Sequence, residues 1–298
     1  MIHCLNHTLP LTKYILTEQF REKINEDKVE KHMVDKWHEL IAGMWNENCV
    51  IAPHSFHRCI QILSMRLDRH EFLGMGQKDA QEFFNFVVDT MHKGLAKKVK
   101  FKIEGEAQND IDRCAIKAME SWSNFFKDDH SFIIDLFYGQ YDSRTMCTKC
   151  GYETTNYEPF SNVTLPIPPN PDRKILSIYD CFDHFNRDEE LDTDNQWRCD
   201  KCHKRSNAHK KNYIWKTPDN MVICLKRFRN THMGVEKIID NVTFPLKDLD
   251  INKYCYGYGR DGSKFDLYAV ANHSGGTGGG HYYAYIKNVD DTWYELND

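Results

Sequence analysis

His273-Ser274-Gly275-Gly276-Thr277-Gly278-Gly279-Gly280-His281-Tyr282-Tyr283-Ala284-Tyr285 is the stretch on which the reading of this chain turns. Glycine lets backbone approach another chain closely and adopt positive φ. The segment reads as a movable loop that runs into an aromatic strand with His281 at the strand's first position. An imidazole held rigidly beside such a loop suits general-base work on an extended peptide. A flexible loop before an ordinary core strand is the plainer alternative. The glycine run is not a phosphate loop, because no Lys-Ser/Thr follows and a strand rather than a helix comes next.

Farther on, Trp293-Tyr294-Glu295-Leu296-Asn297-Asp298 is a short aromatic strand ending in two side chains with acceptor oxygens. A turn around Asn288 to Asp291 would return Asn297 or Asp298 to His281. There such a group could accept the ring N–H and fix its tautomer, the third role in a Cys-His-Asn arrangement. A solvated chain end is the alternative.

Upstream, Cys147-Thr148-Lys149-Cys150 and Cys199-Asp200-Lys201-Cys202 form two CxxC pairs. Each clamps two thiolates on one ion from a tight turn, and together they make a tetrahedral sulfur site of the zinc type. Residues 151–198, between the pairs, exceed the about 15–20 residues of a plain zinc ribbon, so a segment with its own strands lies there. A closed four-ligand site supports folding, not catalysis. Free thiols in a vestigial site are the alternative.

Around these motifs the chain changes character. Residues 1–130 read as helical: Val34, Trp37, Leu40, Ile41 and Met44 recur at helical spacing, Pro53 with Phe56, Ile60 and Leu63 starts another helix, and Phe83 to Met91 is strongly apolar. Residues 104–129 read as a peripheral helix with loops. From residue 132 the pattern is of strands: Phe132 to Ile134, Tyr157 to Pro168, Tyr213 to Trp215, Met221 to Phe228, Val242 to Phe244, Phe265 to Asn272 and His281 to Ile286. Tyr256 to Gly262 is a turn cluster. The class is α+β, a helical part followed by an antiparallel β-rich part.

Bulk properties narrow the function. A chain of 298 residues can bury a substantial core, and 41% hydrophobic with 13% aromatic residues fits a globular protein. The net charge of −5 lacks the basic excess of a nucleic-acid binder. No apolar run approaches the about 20 residues of a membrane span, and Met1 to Thr8 has no signal-peptide core. Eleven cysteines, an odd number with no secretion signal, point to a reducing compartment rather than a disulfide framework. The expectation is an intracellular, cytoplasmic or nuclear monomer without nucleic-acid or membrane partners.

Taken in order, the motifs resemble those of the ubiquitin-specific protease family. They are Gly76-Gln77-Lys78-Asp79-Ala80-Gln81-Glu82-Phe83, Phe137-Tyr138-Gly139, the two CxxC pairs, Leu225-Lys226-Arg227-Phe228, Val242-Thr243-Phe244-Pro245-Leu246, Tyr268-Ala269-Val270 with His273, Gly280 to Tyr285, Trp293-Tyr294 and Asn297-Asp298. The resemblance implies a papain-like cysteine protease fold of fingers, palm and thumb. It would be a single domain over 1–298, with a helical thumb (1–130) and antiparallel β fingers and palm (131–298). A structural Zn²⁺ on Cys147, Cys150, Cys199 and Cys202 would clasp the fingertips. The implied activity is thiol-dependent hydrolysis after the C-terminal glycine of ubiquitin. His281 is then the general base, Asn297 orients it, and Asp298 supports or replaces Asn297. Asp79 and Glu82 would hold the arginines near the ubiquitin tail, since charge-assisted pairs to Arg are strong and directional. Gln81, His273, Gly280 and Tyr282 would line the path of that tail.

The resemblance also implies a chain cut short at both ends. The family's nucleophile sits in a Gly-Asn-Thr-Cys box that would fall upstream of Met1, with Cys4 about two helical turns beyond it on the following helix. After Asp298 the family continues into one more strand. Either the nucleophile belongs to a longer form of an active deubiquitinase, or the protein is a pseudoenzyme that binds ubiquitin or ubiquitinated proteins without cutting. Intact His281 and Asn297 favour the first, because a binder has no chemical need of either.

Overall fold

Met33, Val34, Trp37, Leu40 and Ile41 fall on one side of a helix, and all five are buried. The same rule builds the other helices of the computed structural model, which describes residues 1–46, 50–74, 76–172, 174–232, 234–258 and 263–297. In chain order the helices are α1 (Ile2–Asn6), α2 (Leu9–Leu16), α3 (Lys31–Met44), α4 (His54–Arg66), α5 (Ala80–Leu95), α6 (Asp110–Phe126), α7 (Phe132–Phe137) and α8 (Ile178–Phe185). The strands are β1 (Gly139–Cys147), β2 (Glu153–Phe160), β3 (Val163–Pro166), β4 (Leu176–Ser177), β5 (Glu189–Leu191), β6 (Trp197–Cys199), β7 (Lys204–Ser206), β8 (Ala208–Lys216), β9 (Ile223–Lys226), β10 (Phe228–Thr231), β11 (Gly234–Lys237), β12 (Val242–Thr243), β13 (Leu249–Asp250), β14 (Lys264–Phe265), β15 (Ala269–Gly276), β16 (Gly279–Lys287) and β17 (Trp293–Leu296). None of the described helices is long and apolar enough to cross a membrane.

The chain forms two compact units. One comprises residues 1–100, 126–136 and 267–298. In it α3 packs against α2, α4 and α5, and α1 lies against β15 and β16. Its core holds Trp37, Phe20, Phe84, Phe86 and Met91, all nearly inaccessible. Helix α5 begins at an N-cap that the sequence specifies. Asp79 has extended backbone, and its Oδ1 accepts from the Gln81 and Glu82 N–H groups at 2.8 and 3.0 Å. The sheet of this unit is antiparallel in the order β15-β16-β17.

The glycine segment is not the open loop the sequence suggests. It folds into a tight hairpin in which Gly275 pairs with Gly280 and Gly276 with Gly279. Gly275 has φ +103, and a Cβ there would lie 2.6 Å from the Gly279 carbonyl oxygen and from the Gly280 Cα. Glycine here permits strand closure rather than freedom. His281 is consequently the third residue of β16, not the first.

The second unit comprises residues 101–125 and 137–266. Its main sheet runs β2-β1-β8-β5, antiparallel throughout, with β1 paired along its length to β2 and β8. Two short pairs depart from the expected antiparallel pattern: β3 with β9 and β4 with β12 are parallel. Helix α8 opens with a capping box in which Ser177 and Asp180 bond reciprocally, and it buries Ile178, Cys181 and Phe182 in a cluster with Val163, Leu165, Ile214, Ile251 and Tyr254. Asp142, wholly buried on β1, is held by a bidentate pair from Arg144 at 3.0 and 2.9 Å, so its charge is compensated.

One predicted strand is a helix. Phe132-Ile133-Ile134 opens α7, where Ile133, Ile134, Leu136 and Phe137 are all buried. A short run apolar on every side has no period to separate strand from helix. The last four residues of the 256–262 turn cluster lie outside the described residues.

Candidate active site and metal centre

The alternation of β16 sets the site's geometry, because successive side chains leave opposite faces. β17 pairs Leu296 with Ala284, which brings the next residue, Asn297, alongside the start of β16. The result is a contact of 2.5 Å between His281 Nε2 and Asn297 Oδ1. When the ring donates from Nε2 to the amide oxygen, its lone pair sits on Nδ1. Both side chains are solvent-exposed. Asp298 lies outside the described residues.

The flanking residues are fixed from two directions. Gly280 has the carbonyl oxygen of Ser274 and the ring of His273 where a Cβ would stand. The His273 and Tyr282 rings lie 4.7 Å apart. Burial pushes the Tyr282 phenol up from its ordinary pKa, against a backbone hydrogen bond at Ala80, the first residue of α5. On the other side the Gly280 N–H donates to Gln77 Oε1 at 2.8 Å, and Gln77 Nε2 donates back to the Gly280 carbonyl. Asp79 and Glu82 are exposed in the first turn of α5, while Gln81 gives its N–H to Asp79. The Gln77 clamp escaped the sequence reading. The two partners are separated by 203 residues, and no local period announces such a contact.

Cys4 has a different environment. It lies in α1, and burial raises its thiol above the ordinary range. A nucleophilic cysteine needs the opposite shift. Burial likewise separates a second grouping from substrate: His92 Nδ1 lies 2.8 Å from Ser131 Oγ and Nε2 3.6 Å from Asp129, but His92 and Ser131 are 7% and 6% exposed.

In the second unit the two CxxC pairs converge. Cys147 ends β1, Cys150 follows in its turn, and Cys199 and Cys202 occupy the β6–β7 hairpin. The four Sγ atoms all lie within 4.8 Å of one another, with Cys150 and Cys199 3.6 Å apart. A tetrahedral ion with about 2.3 Å metal–sulfur bonds sets its ligands about 3.8 Å apart, so this donor set fits zinc. The Ser206 hydroxyl, 3.1 Å from Cys147 Sγ, helps pull that thiol down to about 6, whereas hydrogen bonds shared with Cys150 push Cys202 up to about 12. These residues could hold one structural Zn²⁺, which would tie the β1 turn to the β6–β7 hairpin.

With this geometry in hand, comparison with known proteins is direct. The sequence profile of the family described as ubiquitin carboxyl-terminal hydrolase matches residues 1–298. Ubiquitin carboxyl-terminal hydrolase 2 of Homo sapiens is 32% identical over 304 residues, spanning all of this chain and 49% of that protein. Ubiquitin carboxyl-terminal hydrolase Usp2 of Drosophila melanogaster is also 32% identical, with 31% of its length covered. The chain therefore spans about half or less of these relatives. Among solved structures, the SAGA Ubp8/Sgf11/Sus1/Sgf73 DUB module bound to ubiquitin aldehyde aligns with a TM-score of 0.72 at 21% identity, covering the whole chain and 61% of the matched one, and so shares the fold. The chain belongs to the ubiquitin carboxyl-terminal hydrolase family.

Proposed function

We propose that the protein is a thiol-dependent deubiquitinase that hydrolyses the bond after the C-terminal glycine of ubiquitin, with His281 as general base and Asn297 as its orienting partner. The observation that carries this reading is the His281 Nε2–Asn297 Oδ1 contact at 2.5 Å in a chain of this family. Relatives named as ubiquitin carboxyl-terminal hydrolases and a fold neighbour bound to ubiquitin aldehyde support ubiquitin as the substrate.

In this reading Nδ1 of His281 takes the proton of a cysteine thiol, and the thiolate attacks the carbonyl of ubiquitin's last glycine. The imidazolium then protonates the departing amine, leaving ubiquitin as a thioester. His281 next deprotonates a water that attacks this thioester, and the cysteine regains its proton as the carboxylate leaves. Asn297 keeps the ring in the Nε2–H tautomer throughout. Asp79 and Glu82 face the basic part of the ubiquitin tail, and Gln81, His273, Gly280 and Tyr282 line its path. Bound Zn²⁺ supplies structural crosslinking only.

In this reading the nucleophile is a cysteine upstream of Met1; Cys4 is half-buried in α1, and burial holds its thiol above the ordinary range. The single domain over 1–298, with helical 1–130 and β-rich 131–298, belongs to the same reading. Sequencing the transcript upstream of Met1 tests it: an in-frame Asn-Thr-Cys is expected. A continuous reading frame without such a cysteine, together with ubiquitin binding, would make the protein a pseudoenzyme.

A further inference from the structure

The Gln77 side chain is bonded at both ends of its amide to the backbone of the residue before His281. We propose that Gln77 is a positioning residue for His281, acting as a surrogate peptide unit that clamps the backbone immediately before the general base. The inference rests on the role given to His281 above.

In an extended strand the N–H and C=O of one residue point to the same side and expect a neighbouring strand. Gly280 is such a residue. On the side of β17, pairing begins only at Ala284, so no described strand reaches Gly280 there. Gln77 fills that place: its Oε1 accepts the Gly280 N–H at 2.8 Å, and its Nε2 donates to the Gly280 carbonyl. A primary amide carries the same donor and acceptor as a peptide group, which makes Gln, with its reach, suitable for this exchange. On the other side β15 closes in, with the Ser274 carbonyl and His273 ring against the Gly280 α-carbon. Two residues on, Tyr282 meets the backbone of Ala80. Residues 280 and 282 are thus both stitched to the segment that opens α5, whose start is fixed by the Asp79 cap. The residue between them is His281. Gly280 is held by its backbone and Tyr282 by its phenol, so the exposed ring between them has a defined direction despite sitting in a glycine-rich hairpin.

The test uses the full-length polypeptide as its gene encodes it, in three forms: parent, Gln77→Ala and Gln77→Glu. Two readings are taken on each, the 15N NMR tautomer of the His281 ring and the steady-state kinetics of ubiquitin C-terminal hydrolysis. Gln77→Ala is expected to mix the His281 tautomers and to lower kcat by about 10- to 100-fold with little change in KM, the scale of a small misplacement of a reacting group. Gln77→Glu keeps the acceptor but loses the donor when ionised. Its kcat relative to the parent should recover as pH falls through about 5 to 4, because a protonated carboxyl again both donates and accepts. A merely structural role would not give that pH-dependent rescue. The proposal is overturned if Gln77→Ala leaves both the tautomer and kcat at parental values, or if the Gln77→Glu profile runs parallel to the parent's. If the parent itself shows no turnover, the protease reading fails, and the tautomer measurement alone decides whether Gln77 positions the ring.

Discussion

His281 Nε2 and Asn297 Oδ1 lie 2.5 Å apart, with Asn297 brought there by the β16–β17 pairing rather than by proximity in the chain. In the proposed mechanism Asn297 orients the ring and transfers no proton of its own. Replacing it with Ala in the full polypeptide should lower kcat by about 10²-fold or more while leaving KM within a few-fold. Steady-state hydrolysis of a ubiquitin C-terminal fluorogenic substrate checks this. An equal rise in KM with constant kcat would make Asn297 a binding residue instead.

Gly280 should tolerate no side chain. A Cβ there overlaps the Ser274 carbonyl and the His273 ring, and neither a hairpin backbone nor a packed ring yields cheaply. Gly280→Ala should cost about 1–3 kcal/mol of stability in the C-terminal hairpin and displace His281. Amide hydrogen exchange of residues 273–286, faster in the variant, is the measurement.

Asp79 serves two separable purposes. As the N-cap of α5 it accepts two backbone N–H groups, and as an exposed carboxylate it is proposed to meet basic groups of the substrate. Asp79→Ala should lower stability by about 1 kcal/mol, whereas Asp79→Asn, an equally good cap, should not. Both should weaken ubiquitin binding. Thermal melts and calorimetric titration together separate the two effects.

Metal removal should act on the second unit. One zinc per chain is expected on Cys147, Cys150, Cys199 and Cys202, and a strong chelator or Cys199→Ser should lower the melting temperature and free the thiols to titration. Equal melting with and without chelator would exclude a structural ion.

Tyr268 gives the first unit an alkaline limit. Its hydroxyl lies 2.8 Å from Thr8 Oγ1, and burial pushes its pKa up to about 12. The folded chain therefore holds this proton more tightly than the unfolded chain, whose phenol titrates near 10. The contribution, about 3 kcal/mol, is complete below about pH 10 and is lost as pH rises towards 12. Tyr268→Phe should flatten that part of the stability–pH curve, as read by denaturant unfolding at several pH values.

What was legible in the sequence was the chemistry with a local signature. The two CxxC turns could be paired because cysteine spacing constrains a metal site, and α3 and α5 because apolar residues recur at helical spacing. Three features were illegible for a physical reason. Phe132 to Ile134 is an apolar run too short to carry a period, so it read as a strand. The glycine hairpin read as a loop, because glycine allows both openness and close strand approach. The Gln77–Gly280 clamp joins residues 203 positions apart through one amide, a tertiary contact that leaves no local pattern.

The central claim is that His281 serves as the base of a thiol protease acting at ubiquitin's C-terminus. Turnover of a ubiquitin C-terminal fluorogenic substrate by the full polypeptide, beside its His281→Ala variant, tests it most directly. Measurable hydrolysis by the parent is expected, with a fall of at least about 10³-fold in kcat for the variant and ubiquitin binding retained. Equal turnover by the two, or ubiquitin binding by the parent without any turnover, would contradict it.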